Sequence, residues 1–224
     1  LQAKGSRLRL VMETDGSLSL IASKKSNVRN PDDLKGKNIS VSGNTFVEYA
    51  TDEVMKRACL HPGEVNKPEI NNIPLRLMML EDGQISASFL PGPATAIALN
   101  NGHTALLNTR QMGLRCTGIV FSEKAITEKD EEIRRFITGY NLGVKYLQTR
   151  PQNEWTEILV KEFGLQEKAA MQIDLPDYRP ATRPSYHDIE KIIAWLKSKG
   201  AIPDYYPGEN LVDTTFIPGT LKPQ

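Results

Sequence analysis

The stretch NPDDLKGKNISVSGNT, from Asn30 to Thr45, restricts the fold more than any other part of the chain. Asn30-Pro31 opens a turn, and Asp32-Asp33-Leu34 fits one helical turn behind it. Gly36 ends that turn, because glycine enters the left-handed conformation at little cost. Asn38-Ile39-Ser40-Val41 alternates polar and apolar residues, as a short strand does. Gly43-Asn44-Thr45 then leads into 46–56, where the apolar residues have helical spacing. A strand ending in glycine just before a helix aims free backbone N–H groups and the positive end of the helix dipole at one point. That point suits an anionic or hydrogen-bond-accepting group on a small ligand. An ordinary βα turn of any α/β domain has the same pattern, so the stretch specifies local fold before it specifies function.

Two strands are expected before this stretch, at 7–13 and 17–22, with Asp15-Gly16 between them as a turn signal. After it, a helix is expected over 46–58 and stopped by Cys59-Leu60-His61-Pro62-Gly63. A strand at 68–73, a helix at 75–81 and a strand at 85–90 follow. Pro91-Gly92-Pro93 breaks that strand and a small-residue helix fills 94–100. Further strands are expected at 104–108 and 117–122. This alternation argues for a parallel sheet with helices on both faces.

The second half of the chain reads as mostly helical. Residues 131–149 carry a strong helical period in Ile133, Phe136, Ile137, Tyr140, Val144 and Leu147, and Ser122 or Thr127 can cap what precedes them. Helices are also expected at 151–163, 165–173 and 186–199, the last opened by Ser185 and closed by Gly200. The three prolines of 175–184 make that segment an extended loop, and the tail from 202 has little periodicity.

Composition narrows the function classes. The 224 residues are 39% hydrophobic and 25% charged, which suits one or two globular domains with a real core. The 28 basic and 27 acidic residues leave a net charge of +1 with no basic stripe, so nucleic acid is not an expected partner. No apolar run is long enough to span a membrane. Cys59 and Cys116 fit no metal motif and read as one disulfide or two thiols, the thiols being favoured. His61, His103 and His187 stand far apart in the chain, so neither a metal nor a cofactor is expected. Asp32-Asp33 and Glu131-Glu132 are adjacent pairs that point to different helix faces and serve as N-terminal charges. No Ser/His/Asp or Cys/His spacing favours catalysis, and no catalytic residue is assigned.

Three segments carry a resemblance. Asn30-Pro31-Asp32-Asp33-Leu34-Lys35-Gly36-Lys37-Asn38-Ile39 resembles the "s-x-x-D-L-K-G-K-x-I" segment of bacterial periplasmic solute-binding proteins. The subgroup is the NMT1/THI5-like one, which includes nitrate, aliphatic sulfonate, taurine and thiamine-pyrimidine types. Residues 80–91, LEDGQISASFLP, are similar to its "a-L-x-x-G-x-v-D-A-x-x-x-x-P" segment, with Ser86 where the usual Asp stands. Residues 195–202 and Asn210-Leu211-Val212-Asp213 resemble its C-terminal ending. The three lie in the family's order and the resemblance covers nearly the whole chain.

This resemblance implies an α/β fold of the two-lobed, type II periplasmic-binding-protein kind, with parallel-rich sheets flanked by helices. Lobe one would comprise 1–25 and 118–224, and lobe two 26–117. Lobe one then lacks its first βαβα, so it is expected to be partial here. Function would be that of the solute-binding component of an ABC importer, holding a small-molecule ligand in an interlobe cleft and delivering it to the ABC permease. The setting would be periplasmic or otherwise extracytoplasmic, with membrane contact only through the permease or an N-terminal lipid anchor. Alternatives are an enzyme on the same fold, of the menaquinone-pathway or thiamine-pyrimidine kind, and a ligand-sensing domain. The cysteine-rich motif and active-site histidine of the THI5-like synthases are not found in this sequence.

In such a fold the ligand lies outside the carboxyl ends of the strands. Two turns of lobe two qualify. Ser42, Gly43, Asn44, Thr45 and Phe46 offer N–H groups, hydroxyls and an amide at a helix start. Phe46 would either stack on the ligand or pack as a hydrophobic staple. Leu90, Pro91 and Gly92 offer a second strand end, where Pro91 and Pro93 also fit plain helix-start punctuation. From lobe one, Thr14, Asp15 and Thr117 are candidates, although a hairpin turn also explains Asp15. Tyr178, Arg179, Arg183 and Tyr186 form a basic, aromatic group in a loop that reads as solvated.

Overall fold

Asn30 starts the first ordered turn of the key stretch as its residue type requires. Its Oδ1 accepts the N–H of Asp32 at 2.9 Å, and the Asp33 carboxylate accepts the N–H groups of Arg29 and Asn30 at 2.8 and 3.1 Å. A 3-10 turn, Pro31–Leu34, results, and Gly36 leaves it at φ +71°. The computed structural model describes residues 4–115, 117–171, 173, 178–208 and 210–217. Cys116, residues 174–177 of the expected loop, and residue 172 of the helix expected at 165–173 lie outside the described residues.

The chain divides into two compact units. The first comprises Leu1–Gly16, Arg115–Arg150 and Pro176–Gln224, and the second comprises Ser17–Leu114 and Pro151–Leu175.

The second unit is built on a four-stranded sheet of β2 (Leu18–Ala22), β3 (Ile39–Ser40), β4 (Ala87–Pro91) and β5 (Thr104–Asn108), in the order β3-β4-β2-β5. β3 and β4 pair in parallel, while β2 pairs antiparallel with both β4 and β5. Thus β3, β4 and β5 run one way and β2 alone runs against them. Side chains alternate across the sheet. Leu20, Ala22, Ala87 and Phe89 face α1 (Phe46–Arg57), where they pack with Ala50 and Val54. Ile21 and Leu90 face α2 (Ile73–Asp82) and α3 (Gly92–Asn100), where they pack with Leu80, Ala94 and Ala98. α6 (Gln152–Phe163) and α7 (Glu167–Met171) close over α3, with Ala96, Leu165, Ala170 and Ile173 buried together.

In the first unit β1 (Leu8–Thr14) pairs antiparallel with β6 (Thr117–Ser122), Thr14 opposite Thr117. Beyond β6 come α4 (Glu123–Glu128), α5 (Asp130–Thr149) and α8 (Tyr186–Ser198). Val11 and Met12 of β1 are buried with Ile133 and Ile137 of α5 and with Phe216 and Ile217 of the tail. Ser122, one of the two expected caps, caps α4 by accepting the N–H of Ala125 at 3.1 Å.

Several expectations are corrected. Asp15-Gly16 is not a hairpin turn, because β1 pairs with β6 and β2 with β4 and β5. The expected all-parallel alternation is broken by β2, which enters the sheet from the other unit and runs antiparallel. Residues 17–25 and 151–175 fall in the second unit, since β2 is central to its sheet and α6–α7 pack on α3. No strand forms over 68–73: residues 66–70 touch β3 only through bridges, and Ile73 already begins α2.

Candidate functional site

Three helices start at one edge of the second unit's sheet. β3 and β4 are parallel, with Ile39 opposite Ala87 and Ser40 opposite Ser88. β3 leads through residues 41–45 into α1, and β4 leads directly into α3. Residues 66–69 run beside β3 in the same direction, through bridges Asn38–Asn66 and Val41–Glu69, and lead into α2. The carboxyl edge therefore brings Ser42–Phe46 and Leu90–Gly92 side by side, as the residue pattern implied for each turn separately.

The start of α1 is largely furnished by the protein itself. Thr45 caps the helix, its Oγ1 accepting the N–H of Val47 at 3.3 Å and donating to the carbonyl of Ser42 at 2.7 Å. Asn44 takes the left-handed conformation at φ +54°, and its N–H donates to Oε2 of Glu48 at 2.8 Å. Glu48 is 7% exposed and pairs with Lys67 at 3.7 Å. Ser42 Oγ donates to Asn71 Oδ1 at 2.5 Å, and Asn71 Nδ2 donates to Glu69 Oε1 at 3.2 Å. A Cβ at Gly43 would lie 2.9 Å from that same oxygen, so glycine makes room for the Glu69 carboxylate. Phe46 packs against the core under α1, which is the staple role.

The start of α3 is open. Pro91 occupies the cap position and provides no side-chain hydrogen bond. Pro93, in the first turn, has no N–H to offer. A Cβ at Gly92 would meet nothing within 4 Å. Thr95 Oγ1 serves the strand end instead, donating to the carbonyl of Leu90 at 3.0 Å. The first-turn N–H groups of Gly92 and Ala94 thus face the edge without a side-chain acceptor, at the positive end of the dipole.

One residue at this edge is not flagged by any motif. Arg76, on α2, is 3% exposed. Its Nε donates to the carbonyl of Ile70 at 2.6 Å and its Nη1 to the carbonyl of Phe89 at 3.3 Å. Its only sequence signal is a charge inside the apolar run Ile73-Pro74-Leu75-Arg76-Leu77-Met78-Met79-Leu80.

Thr14, Asp15 and Thr117 come together in the first unit. Thr14 Oγ1 donates to Thr117 Oγ1 at 3.0 Å, and Thr117 Oγ1 donates to the carbonyl of Thr14 at 2.9 Å. Asp15 is held by Arg179, so that residue is a tie to the end of β1 rather than part of a solvated loop. Burial pushes the Asp15 carboxyl up, but the hydrogen bonds and charge of Arg179 outweigh it and hold it below the usual value. Glu13, 8% exposed, accepts from Arg179 Nη2 and from the N–H of Ser185, both at 3.2 Å. The buried hydroxyl of Tyr140 has no hydrogen-bond partner among the described residues, and burial, with the nearby Asp15 charge, raises its pKa. Tyr186 is exposed at the start of α8.

Cys59 is a free, exposed thiol. Among the described residues, no group of three or more His, Cys, Asp or Glu could hold a metal ion, and no helix is long and apolar enough to cross a membrane.

A family model described as NMT1/THI5 like matches residues 6–154. No curated protein sequence matches the chain. Among solved structures, the periplasmic aliphatic sulphonate binding protein SsuA from Escherichia coli superposes with a TM-score of 0.80 at 12% identity, covering 100% of this chain and 73% of that one. The periplasmic nitrate-binding protein NrtA from Synechocystis PCC 6803 gives 0.76 at 8% identity, covering 92% and 63%. The desulfurization enzyme DSZB gives 0.62 at 12% identity, covering 94% and 78%. At these identities the likeness is one of fold, the α/β fold of periplasmic binding proteins.

Proposed function

The chain belongs to the NMT1/THI5-like family, and from that premise we propose that it is the solute-binding component of an ABC importer. It captures a small anionic ligand at the carboxyl edge of the second unit's sheet and delivers it to a membrane permease outside the cytoplasm. The observation that carries this reading is the parallel pairing of β3 and β4, which sets the starts of α1 and α3 next to each other. Two helix N-termini at adjacent strand ends form an anion site by geometry alone. Because Glu48 and Glu69 already stand at the α1 turn, the anionic group belongs at the uncapped start of α3. The similar proteins from Escherichia coli and Synechocystis bind an aliphatic sulphonate and nitrate, which supports an oxyanion as the ligand class.

Titration calorimetry with ethanesulfonate, taurine and nitrate tests the reading. Saturable one-to-one binding of at least one is the expected result. No heat and no change in melting temperature with any of them would overturn it.

An enzyme on this fold is the second reading, and the likeness to DSZB favours it. Turnover of an aryl sulfinate by the purified protein would put it in place of the transport reading.

A further inference from the structure

Arg76 is a buried cation for which the second unit provides no anion. It is 3% exposed, and among the described residues it is in ion-pair contact with no carboxylate. Its two hydrogen bonds go to backbone carbonyls, of Ile70 and Phe89. Burying a guanidinium with only neutral acceptors is costly, and an anion placed near it recovers part of that cost. Desolvation lowers its pKa with no opposing attraction from a neighbouring acid.

Its position joins it to the ligand edge. α2 starts at Ile73, at the carboxyl edge, so its fourth residue is still close to that edge. α2 and α3 pack on the same face of the sheet, through Leu80 with Ala94 and Ala98. The guanidinium reaches the carbonyl of Phe89, two residues before Pro91, which precedes the open first turn of α3. The carboxylates of Glu48 and Glu69 stand at the α1 turn instead.

We propose that Arg76 is the specificity-determining cation of this edge, making the site select a permanently ionised oxyanion over a neutral molecule of the same shape. This rests on the reading of the edge as a ligand site. Arg76 acts from behind the backbone of β4, adding fixed positive potential where the N–H groups of Gly92 and Ala94 point. A guanidinium stays charged at any pH the protein meets, so the selectivity does not vary with pH.

The test compares ethanesulfonate with its neutral isostere ethanesulfonamide on wild type, Arg76→Lys and Arg76→Gln. Wild type is expected to prefer the sulfonate by about a hundredfold or more. Arg76→Gln is expected to reduce that preference at least tenfold, mainly through loss of sulfonate affinity, and Arg76→Lys to keep most of it. If Arg76→Gln binds neither compound less well, or weakens both equally, the residue is only a backbone clamp and the proposal is overturned. Should Arg76→Gln fail to fold, the side-chain NMR signals of Arg76 in wild type decide. They are expected to shift on saturation with ethanesulfonate and not with the sulfonamide; unmoved signals at saturating sulfonate overturn the proposal. A wild-type protein that binds none of the anions tested above overturns the transport reading itself, a separate result from binding with unchanged selectivity.

Discussion

Arg179 holds Asp15 by three hydrogen bonds: Nε and Nη2 donate to Oδ1 at 2.9 and 2.7 Å, and the backbone N–H donates to Oδ2 at 2.8 Å. The same guanidinium reaches Glu13, so one side chain fastens the start of the 178–185 segment to the end of β1. The Asp15 carboxyl has a lowered folded pKa, so its stabilisation is present above the unfolded value and is lost as pH falls through the folded one.

Asp15→Asn is therefore expected to lower stability at pH 7 by about 1 kcal/mol, a figure reduced for partial solvent screening. The gap to wild type should shrink below about pH 4, where wild type begins to lose the same charge. Thermal melts at pH 7 and pH 3 check this. A gap that stays constant with pH would contradict the assignment.

Gly36→Ala places a side chain at φ +71° in open surroundings, so strain alone acts. A loss of about 1 kcal/mol in urea unfolding is expected.

Gly92→Ala and Gly43→Ala should separate. At Gly92 a Cβ meets nothing within 4 Å, so stability is kept, while the methyl group crowds the approach to the α3 N–H groups and anion affinity falls. At Gly43 the Cβ meets the Glu69 carboxylate at 2.9 Å, so stability falls as well. Paired melting and titration experiments on the two variants read both effects.

Phe89 is fully buried at the centre of the α1 face. Phe89→Ala is expected to cost about 3–5 kcal/mol in denaturant unfolding, with loss of ligand binding following from loss of fold.

The legible parts of this fold are those decided within a few residues. Asn30, Gly36, Thr45, Ser122 and Ser185 each act on the next turn of chain, and each acts as its residue type predicts. Strand pairing was not legible, because it joins distant residues: Thr14 meets Thr117 across 103 positions. For the same reason Asp15-Gly16 looks like a hairpin turn although its two strands belong to different sheets. At the site, the two glycine turns announced themselves singly, but their adjacency depends on β3–β4 pairing. The carboxylates at the α1 turn were hidden too, since Glu69 arrives through a bridge to Val41 from a segment that forms no regular strand. Arg76 is one charge in an apolar helix, and only packing shows that it is buried without an acid.

The most direct measurement is a backbone amide NMR titration of the whole protein with ethanesulfonate. The account predicts saturable shifts that are largest at the N–H groups of Gly92 and Ala94, with smaller ones at Gly43 and Phe46. Saturation with those four signals unmoved, or no saturable shift with any small oxyanion, would contradict it.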